Sequence, residues 1–475
     1  MLIKWKCLNF LLRRDFVEET LEEETKEETF TLSDSDIQSI EKSIEKGEGE
    51  VVETAIANLS ASDCAELLSK VSDDNRQIIL TQHVSAITPD AYLELDPELC
   101  KGALEEMEAP QVANLISTLE SDDALDVIEN LEPEFQKEVL DQLPIKTRAT
   151  VEEGLSFPEN SAGRLLTRKF VAVPKYWTVG EAMVYLREPS DDFPETFSEI
   201  FIVTSNAQVV GTVALSRLLQ AGRQIKLETL VDEEVYSIPA TVDQEEVAQL
   251  FRRENLLSAA VVDAEGRMLG VIRIDDVVDV IDEEAQDDIL QLAGVKESSI
   301  YRDVISTSAS RFGWLFVNLF TAILASAIIS IFDSTIEKVV ALAILMPIVT
   351  SMGGNAGTQA LTVVVRALAM REVSNINALR VVWKETMVCF LNGIAFAVIV
   401  GLVTFFWFDD VKLGGIIAVA MIINMFVAGL CGAGIPIFLN KIGSDPAVSS
   451  TVLLTTVTDV IGFFVFLGLA ATFLL

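Results

Sequence analysis

The chain has 475 residues, enough for two or three domains, and a formal net charge of -37. Residues 301–475 hold nine Lys/Arg and nine Asp/Glu, so the whole acidic excess lies in the first 300 residues. Such a surface repels nucleic acid and anionic lipid and attracts cations, divalent ones most. A single histidine and five cysteines without CxxC spacing (Cys7, Cys64, Cys100, Cys389 and Cys431) leave few ligands for zinc or copper. A hard ion held by oxygen is the metal to expect, with the cysteines reduced and structural.

Taken in order, MLIKWKCLNFLLRRDF has an apolar run too short for a signal peptide, broken by Lys6 and closed by Arg13, Arg14 and Asp15. Residues 1–33, with EETLEEETKEE at 18–28, read as an acidic mobile arm. Residues 34–155 are helical in pattern. Between 119 and 143 a period of about twelve residues sets acidic or Pro-containing turns before short apolar faces such as Leu125, Val127 and Ile128. Helices that short cannot bury their faces alone, so they are expected to stack as a small superhelix.

Residues 156–281 read as a tandem repeat. The first copy sets strands at 170–173, 199–203 and 209–214 around a helix at 179–187. The second sets strands at 235–238, 259–262 and 269–274 around a helix at 244–253. This order, with its GTVAL and GVIRI strands, resembles a pair of CBS modules. Residues 282–311 follow as a connecting helix. Uncharged stretches at 312–332, 339–365, 386–408, 413–440 and 446–475 are each long enough to span, since about 20 residues cover a ~30 Å hydrocarbon core. The last is interrupted only by Asp459. Arg366, Arg371, Arg380, Lys384 and Lys441 fall on the loops of one side, which makes that side, and the N-terminal 300 residues, cytoplasmic. The expected fold is thus an all-α superhelical N domain, an α/β CBS pair and a five-span α-helical transmembrane domain (312–475), multi-pass in the cell inner (plasma) membrane.

Asp459 is the sharpest chemical signal, a lone carboxylate deep in an apolar span. There it costs at least ~2.5–3.5 kcal/mol, so it is expected to face a pore or a partner. Thr451, Thr455 and Asp459 recur at i, i+4, i+8 and make an oxygen-lined stripe on one helical face. The run MPIVTSMGGNAGTQA interrupts the second span with Gly353, Gly354, Asn355, Gly357 and Gln359. It reads either as irregular backbone lining a cavity or as close helix packing through Gly353 and Gly357. The run DDVVDVIDEEAQDD at 275–288 stacks like charges at helical spacing, which destabilises an isolated helix and suits a cation-binding face.

PIVTSMGGNAGTQA, GSDP at 443–446, TVTDVIG around Asp459, SFPENSAGRLLT and EEAQDDILQLAGV occur here in the order found in the MgtE magnesium channels, and residues 35–475 resemble that family. The resemblance implies a homodimer in the bilayer with the ion path on its two-fold axis. It implies passive Mg²⁺ entry with the family's pore carboxylate at Asp459; Thr455, Thr451, Gly353, Gly354, Asn355 and Gln359 are the further ion-path candidates of the two polar runs. It also implies closure by cytoplasmic Mg²⁺ bound at Asp243, Glu245, Asp276, Asp279, Glu284, Asp287, Asp288 and Asp445. Asn255 stands where relatives can carry Asp, and Thr451 where they can carry Asn. CBS pairs commonly bind adenine nucleotides through a hydroxyl and an Asp after the glycine strand. Here Arg273 replaces the hydroxyl in the second copy and the first copy lacks both, so nucleotide binding is left open. No hydrolase or nucleotide-triphosphatase motif occurs, and the chain is not expected to be an enzyme. A secondary exchanger of Co²⁺, Mn²⁺ or Ca²⁺ and a membrane-tethered CBS sensor are the rival readings.

Overall fold

The computed structural model describes residues 32–188, 193–194, 196–231, 235–295 and 299–474. Nearly all of the expected acidic arm therefore lies outside the described residues. The chain divides into two compact units, one ending at Val280 and one beginning at Ile281.

The first unit opens with short helices: α1 (Asp34–Glu45), α2 (Gly49–Ala57), α3 (Ala61–Lys70), α4 (Asp73–Gln82), α5 (Pro97–Glu105), α6 (Ala109–Ile116), α7 (Ser121–Glu129), α8 (Pro133–Gln142) and α9 (Ile145–Leu155). Their starts are written locally. The Ser33, Ser60 and Ser72 hydroxyls accept the amides of Asp36, Asp63 and Asn75, and Pro97 and Pro133 occupy first-turn positions where no N–H is missed. Eight to twelve residues are too few for a stable isolated helix. One face of each is therefore committed to a shared core that includes Leu67, Leu68, Ile79, Leu104, Ile116 and Ile128.

Two copies of one small sheet follow. In the first, β1 (Ala172–Pro174) runs parallel to β2 (Glu199–Val203), which pairs antiparallel with β3 (Val209–Ala214); α10 (Val179–Tyr185) and α11 (Leu215–Gln220) complete it. The second repeats this with β4 (Ser237–Pro239), α12 (Gln244–Glu254), β5 (Ser258–Val262) and β6 (Met268–Arg273). Even the register irregularity recurs, at Ile202/Val203 and at Val261/Val262. The segment entering the pair is shared with the second copy: Ser161 bridges to Asp243 and Thr167 to Val271. Gly270 permits this approach, because a Cβ there would lie 2.6 Å from the Thr167 carbonyl oxygen.

Helix α13 (Ile274–Leu292) leaves β6 directly and carries the acidic run. It ends before Gly294, whose positive φ of 73° and contact with the Trp314 ring exclude a side chain. The expected connecting helix is thus not continuous to residue 311; the next helix, α14 (Val304–Ile331), starts anew at the Asp303 cap. After α15 (Asp333–Lys338) come α16 (Ala341–Ala369), α17 (Ala378–Phe408), α18 (Val411–Lys441) and α19 (Pro446–Phe473).

Among the described residues, four helices are long and apolar enough to cross a membrane: α14, α17, α18 and the Ser450–Phe473 part of α19. The expected fifth, α16, has 29 residues and the length to cross. The polar and glycine residues between Thr350 and Gln359 lower its apolar character below that of the others. They do not break it. The run MPIVTSMGGNAGTQA lies inside one continuous helix with Pro347 in its interior, so the expectation of irregular backbone gives way to the close-packing alternative.

Candidate functional site

On α19, Asp459 lies thirteen residues beyond Pro446, about 20 Å along the axis at 1.5 Å per residue and so deep in an apolar span. Its stripe is partly open on the surface of the chain. Two of its hydroxyls are committed at their donor ends. Thr455 Oγ1 donates to the Thr451 carbonyl at 3.0 Å, and Thr451 Oγ1 donates to the Leu292 carbonyl at 3.0 Å. Their lone pairs remain for a cation or its water shell. Leu292 ends α13 and packs with Leu361, Val365, Ala447 and Leu454. The acidic helix therefore terminates against α19.

One turn before that contact, Asp288 sits against Asp445. Burial, and then the charges of Asp445, Glu284 and Asp287, push the Asp288 carboxyl above its ordinary range. Asp445 also caps α19, accepting the Ala447 amide at 2.8 Å, so it is held in place by the helix it begins. Asp243 is likewise a cap: it accepts the Glu245 amide at 2.9 Å and starts α12. Glu245 accepts from Gln249 Nε2 at 2.9 Å.

The glycine run divides by face. A Cβ at Gly353 would lie 2.2 Å from Asn424, and one at Gly357 2.8 Å from Leu454, whereas one at Gly354 would meet nothing within 4 Å. Asn355 and Gln359 point elsewhere, into a cavity of about 560 Å³ shared with Glu385 and Asn392 of α17. The sequence-derived ion-path residues of α16 thus occupy at least two faces of that helix.

Sequence reasoning passed over four polar residues. Asn424 of α18 is fully buried; its Nδ2 donates to the Val349 carbonyl at 2.9 Å while Oδ1 has no hydrogen-bond partner. It fills the notch left by Gly353 and Gly462, and an Asn in an apolar run was the available signal. Glu385 stands one residue ahead of the uncharged stretch at 386–408, but α17 begins at Ala378, and the side chain is buried within the helix. Asp122 and Asp123, in the first turn of α7, face Asp276 of α13. Both Asp122 oxygens are buried without a hydrogen-bond partner. Burial first, then Asp276 and Asp123, hold the Asp122 carboxyl well above its ordinary value; burial first, then Asp276 and Glu120, push Asp123 up to about 6. Burial pushes Asp276 up as well, against the opposing pull of Arg273. An acidic α7 start looks like an ordinary helix N-terminus in sequence, and only the fold sets it against α13. Among the described residues, no three His, Cys, Asp or Glu side chains converge tightly enough to ligate a metal directly.

Three family models match. Residues 346–469 match the MgtE divalent cation transporter model, 59–160 the MgtE intracellular N domain and 227–283 the CBS domain. The chain is 30% identical to the magnesium transporter MgtE of Thermus thermophilus over 439 residues, covering 91% of this chain and 97% of the relative. The chain belongs to the MgtE family. It is also 31% identical to the Enterococcus faecalis magnesium transporter MgtE over 324 residues (68% and 71% of the two chains). Its identity to the Bacillus subtilis MgtE is 28% over 422 residues (89% and 93%). Among solved structures it is similar to the cytosolic domain of the Mg²⁺ channel MgtE in complex with ATP, at 26% identity and TM-score 0.47, covering 51% of this chain and 99% of that one. The CBS model covers only the second copy. The first is recognised by its repeated sheet order and register.

Proposed function

We propose that this MgtE-family chain is a Mg²⁺ channel. It carries the ion passively into the cell past Asp459 and is closed by cytoplasmic Mg²⁺. In this reading two copies, each crossing the plasma membrane five times with α16 as the fifth span, place their Asp459 carboxylates about a two-fold axis. Mg²⁺ gives up water reluctantly and usually keeps several waters when bound. A pair of carboxylates and threonine hydroxyls can hold it through that shell without a dedicated cage. The stacked short helices (34–155) and the CBS pair (156–281) form the sensing assembly.

The observation that carries the reading is the bond between Thr451 Oγ1 and the Leu292 carbonyl. It joins the Asp459 stripe to an acidic helix whose Asp288 faces Asp445 across like charge. Mg²⁺ bridging Asp288 and Asp445 turns a repulsion into a contact at the base of the pore helix. Asp276 with Asp122 and Asp123 offers a second such place, and Asp243, Glu245, Asp279, Glu284 and Asp287 belong to the same acidic assembly. A ligand moves a gate only by binding one state better than the other. A swing from about 1:99 to 99:1 needs ~5.5 kcal/mol of such preference, and several weak sites supply it together.

The test is Mg²⁺ flux into liposomes holding only this protein, with and without Mg²⁺ on the cytoplasmic face. Flux without a sodium or proton gradient, lost in Asp459→Asn, is expected. Dependence on such a gradient would turn the reading to an exchanger, and absence of any flux to a membrane-tethered sensor. A cavity of about 530 Å³ in the CBS pair, lined by Lys169, Phe170, Phe201, Leu257 and Arg273, also suits an anionic nucleotide with an aromatic base.

A further inference from the structure

Arg273 ends β6, where the pattern of nucleotide-binding CBS pairs would put a hydroxyl. Its guanidinium turns instead to the helical N domain. Nη1 lies 3.2 Å from Glu120 Oε2, just ahead of α7, and Nη2 lies 3.3 Å from Asp276 Oδ1 on α13. Nε is 3.6 Å from Asp275 Oδ1. Lys169 Nζ reaches the other Glu120 oxygen at 3.4 Å, and Thr167 Oγ1 donates to Oε2 at 3.3 Å. The same seam is stitched by the Arg168 amide donating to Ser121 Oγ at 3.0 Å, by Arg168 with Glu153 at 2.7 Å, and by Arg164 with Glu129.

We propose that Arg273 is a built-in countercation that holds the helical N domain on the second CBS copy in the absence of any bound metal. Glu120, Asp122 and Asp123 on one side and Asp275 and Asp276 on the other would repel across this seam. A planar guanidinium suits two carboxylates from different domains at once, which a lysine ammonium does less well. The arginine side chain is only 25% exposed, so its ion pairs are screened less than surface pairs are. A divalent ion bridging the same acids must be drawn from solvent and leaves when its concentration falls, whereas a covalently tethered cation is always present. Divalent ions then add to this contact at Asp122, whose oxygens still lack a donor. The inference rests on the ion pairs and holds whether or not Mg²⁺ gates the pore.

Hydrogen exchange of the full-length protein in EDTA tests it, read at the Arg168 amide, whose acceptor Ser121 lies across the seam. Arg273→Met is expected to speed exchange there about tenfold, the loss expected of one hydrogen bond to a charged group. Mg²⁺ is expected to restore protection, and Arg273→Lys to keep part of it. Exchange at Val261 and Ile272, inside the second sheet, reports whether that copy stays folded. If it does not, Glu120→Gln, which leaves the CBS pair untouched, must give the same loss at Arg168. Parent-like exchange in EDTA for both Arg273→Met and Glu120→Gln would overturn the proposal. So would an Arg273→Met protein that Mg²⁺ fails to re-protect, since arginine and metal would then not act on one cluster.

Discussion

A carboxyl buried beside other carboxyls binds its proton more tightly, and Asp123 shows the consequence for pH. Its value of about 6 in the fold lies above the ordinary 3.8, so between those values the folded protein holds more protons at this site than the unfolded chain. The folded state is therefore favoured as pH falls through 6, and the penalty of ionisation is fully present above it. Melting the protein in EDTA at pH 5 and pH 7.5 reads this. Asp123→Asn should raise Tm at both, and at pH 5 by about half as much as at pH 7.5, because the unfolded carboxyl is already ionised at pH 5; an equal effect at both would show that Asp123 ionises freely. Asp459 obeys different economics. Removing a carboxylate from an apolar span relieves its insertion cost, so Asp459→Ala should keep or raise thermal stability while abolishing Mg²⁺ flux. A variant that melts early would make the residue structural instead.

Among the elements, α16 gives the cleanest separation of packing from conduction. Gly353→Leu has to displace Asn424 and should lower Tm by several degrees, in line with the ~1–3 kcal/mol of an overpacked core. Gly354→Leu meets open space within the chain, so the protein should fold normally and lose flux only if that face borders the ion route. On α13, Asp287→Ala with Asp288→Ala should move the Mg²⁺ midpoint for closure upward, and unchanged closure would remove both from the sensor. The elements were largely readable in advance, because spans announce themselves by unbroken hydropathy and the CBS copies by repetition. Boundaries were not: polar residues such as Glu385 can sit inside a helix when a neighbour covers them. The glycine run was open to two readings because Gly, Asn and Gln suit a loop and a tight helix contact alike, and only Asn424, some seventy residues away, decides between them.

For the whole molecule, the charge imbalance was legible at once and its detailed use was not. Sequence spacing pointed to Asp276, but the facing acids Asp122 and Asp123 are brought there by folding across about 150 residues of chain. With the acidic excess concentrated in the first 300 residues, repulsion between carboxylates is a force the fold has to manage by screening, by protons or by bound cations.

The Thr451 hydroxyl has one more consequence. The final carbonyls of any helix lack partners from their own backbone, and at the end of α13 the Leu292 carbonyl finds one on the helix that carries Asp459. Helix α19 is thereby the C-terminal stopper of α13. Under the proposed function, unravelling of the last turn of α13 would strip the Thr451 hydroxyl of its acceptor, so that fraying of one helix end is felt directly on the helix that carries Asp459.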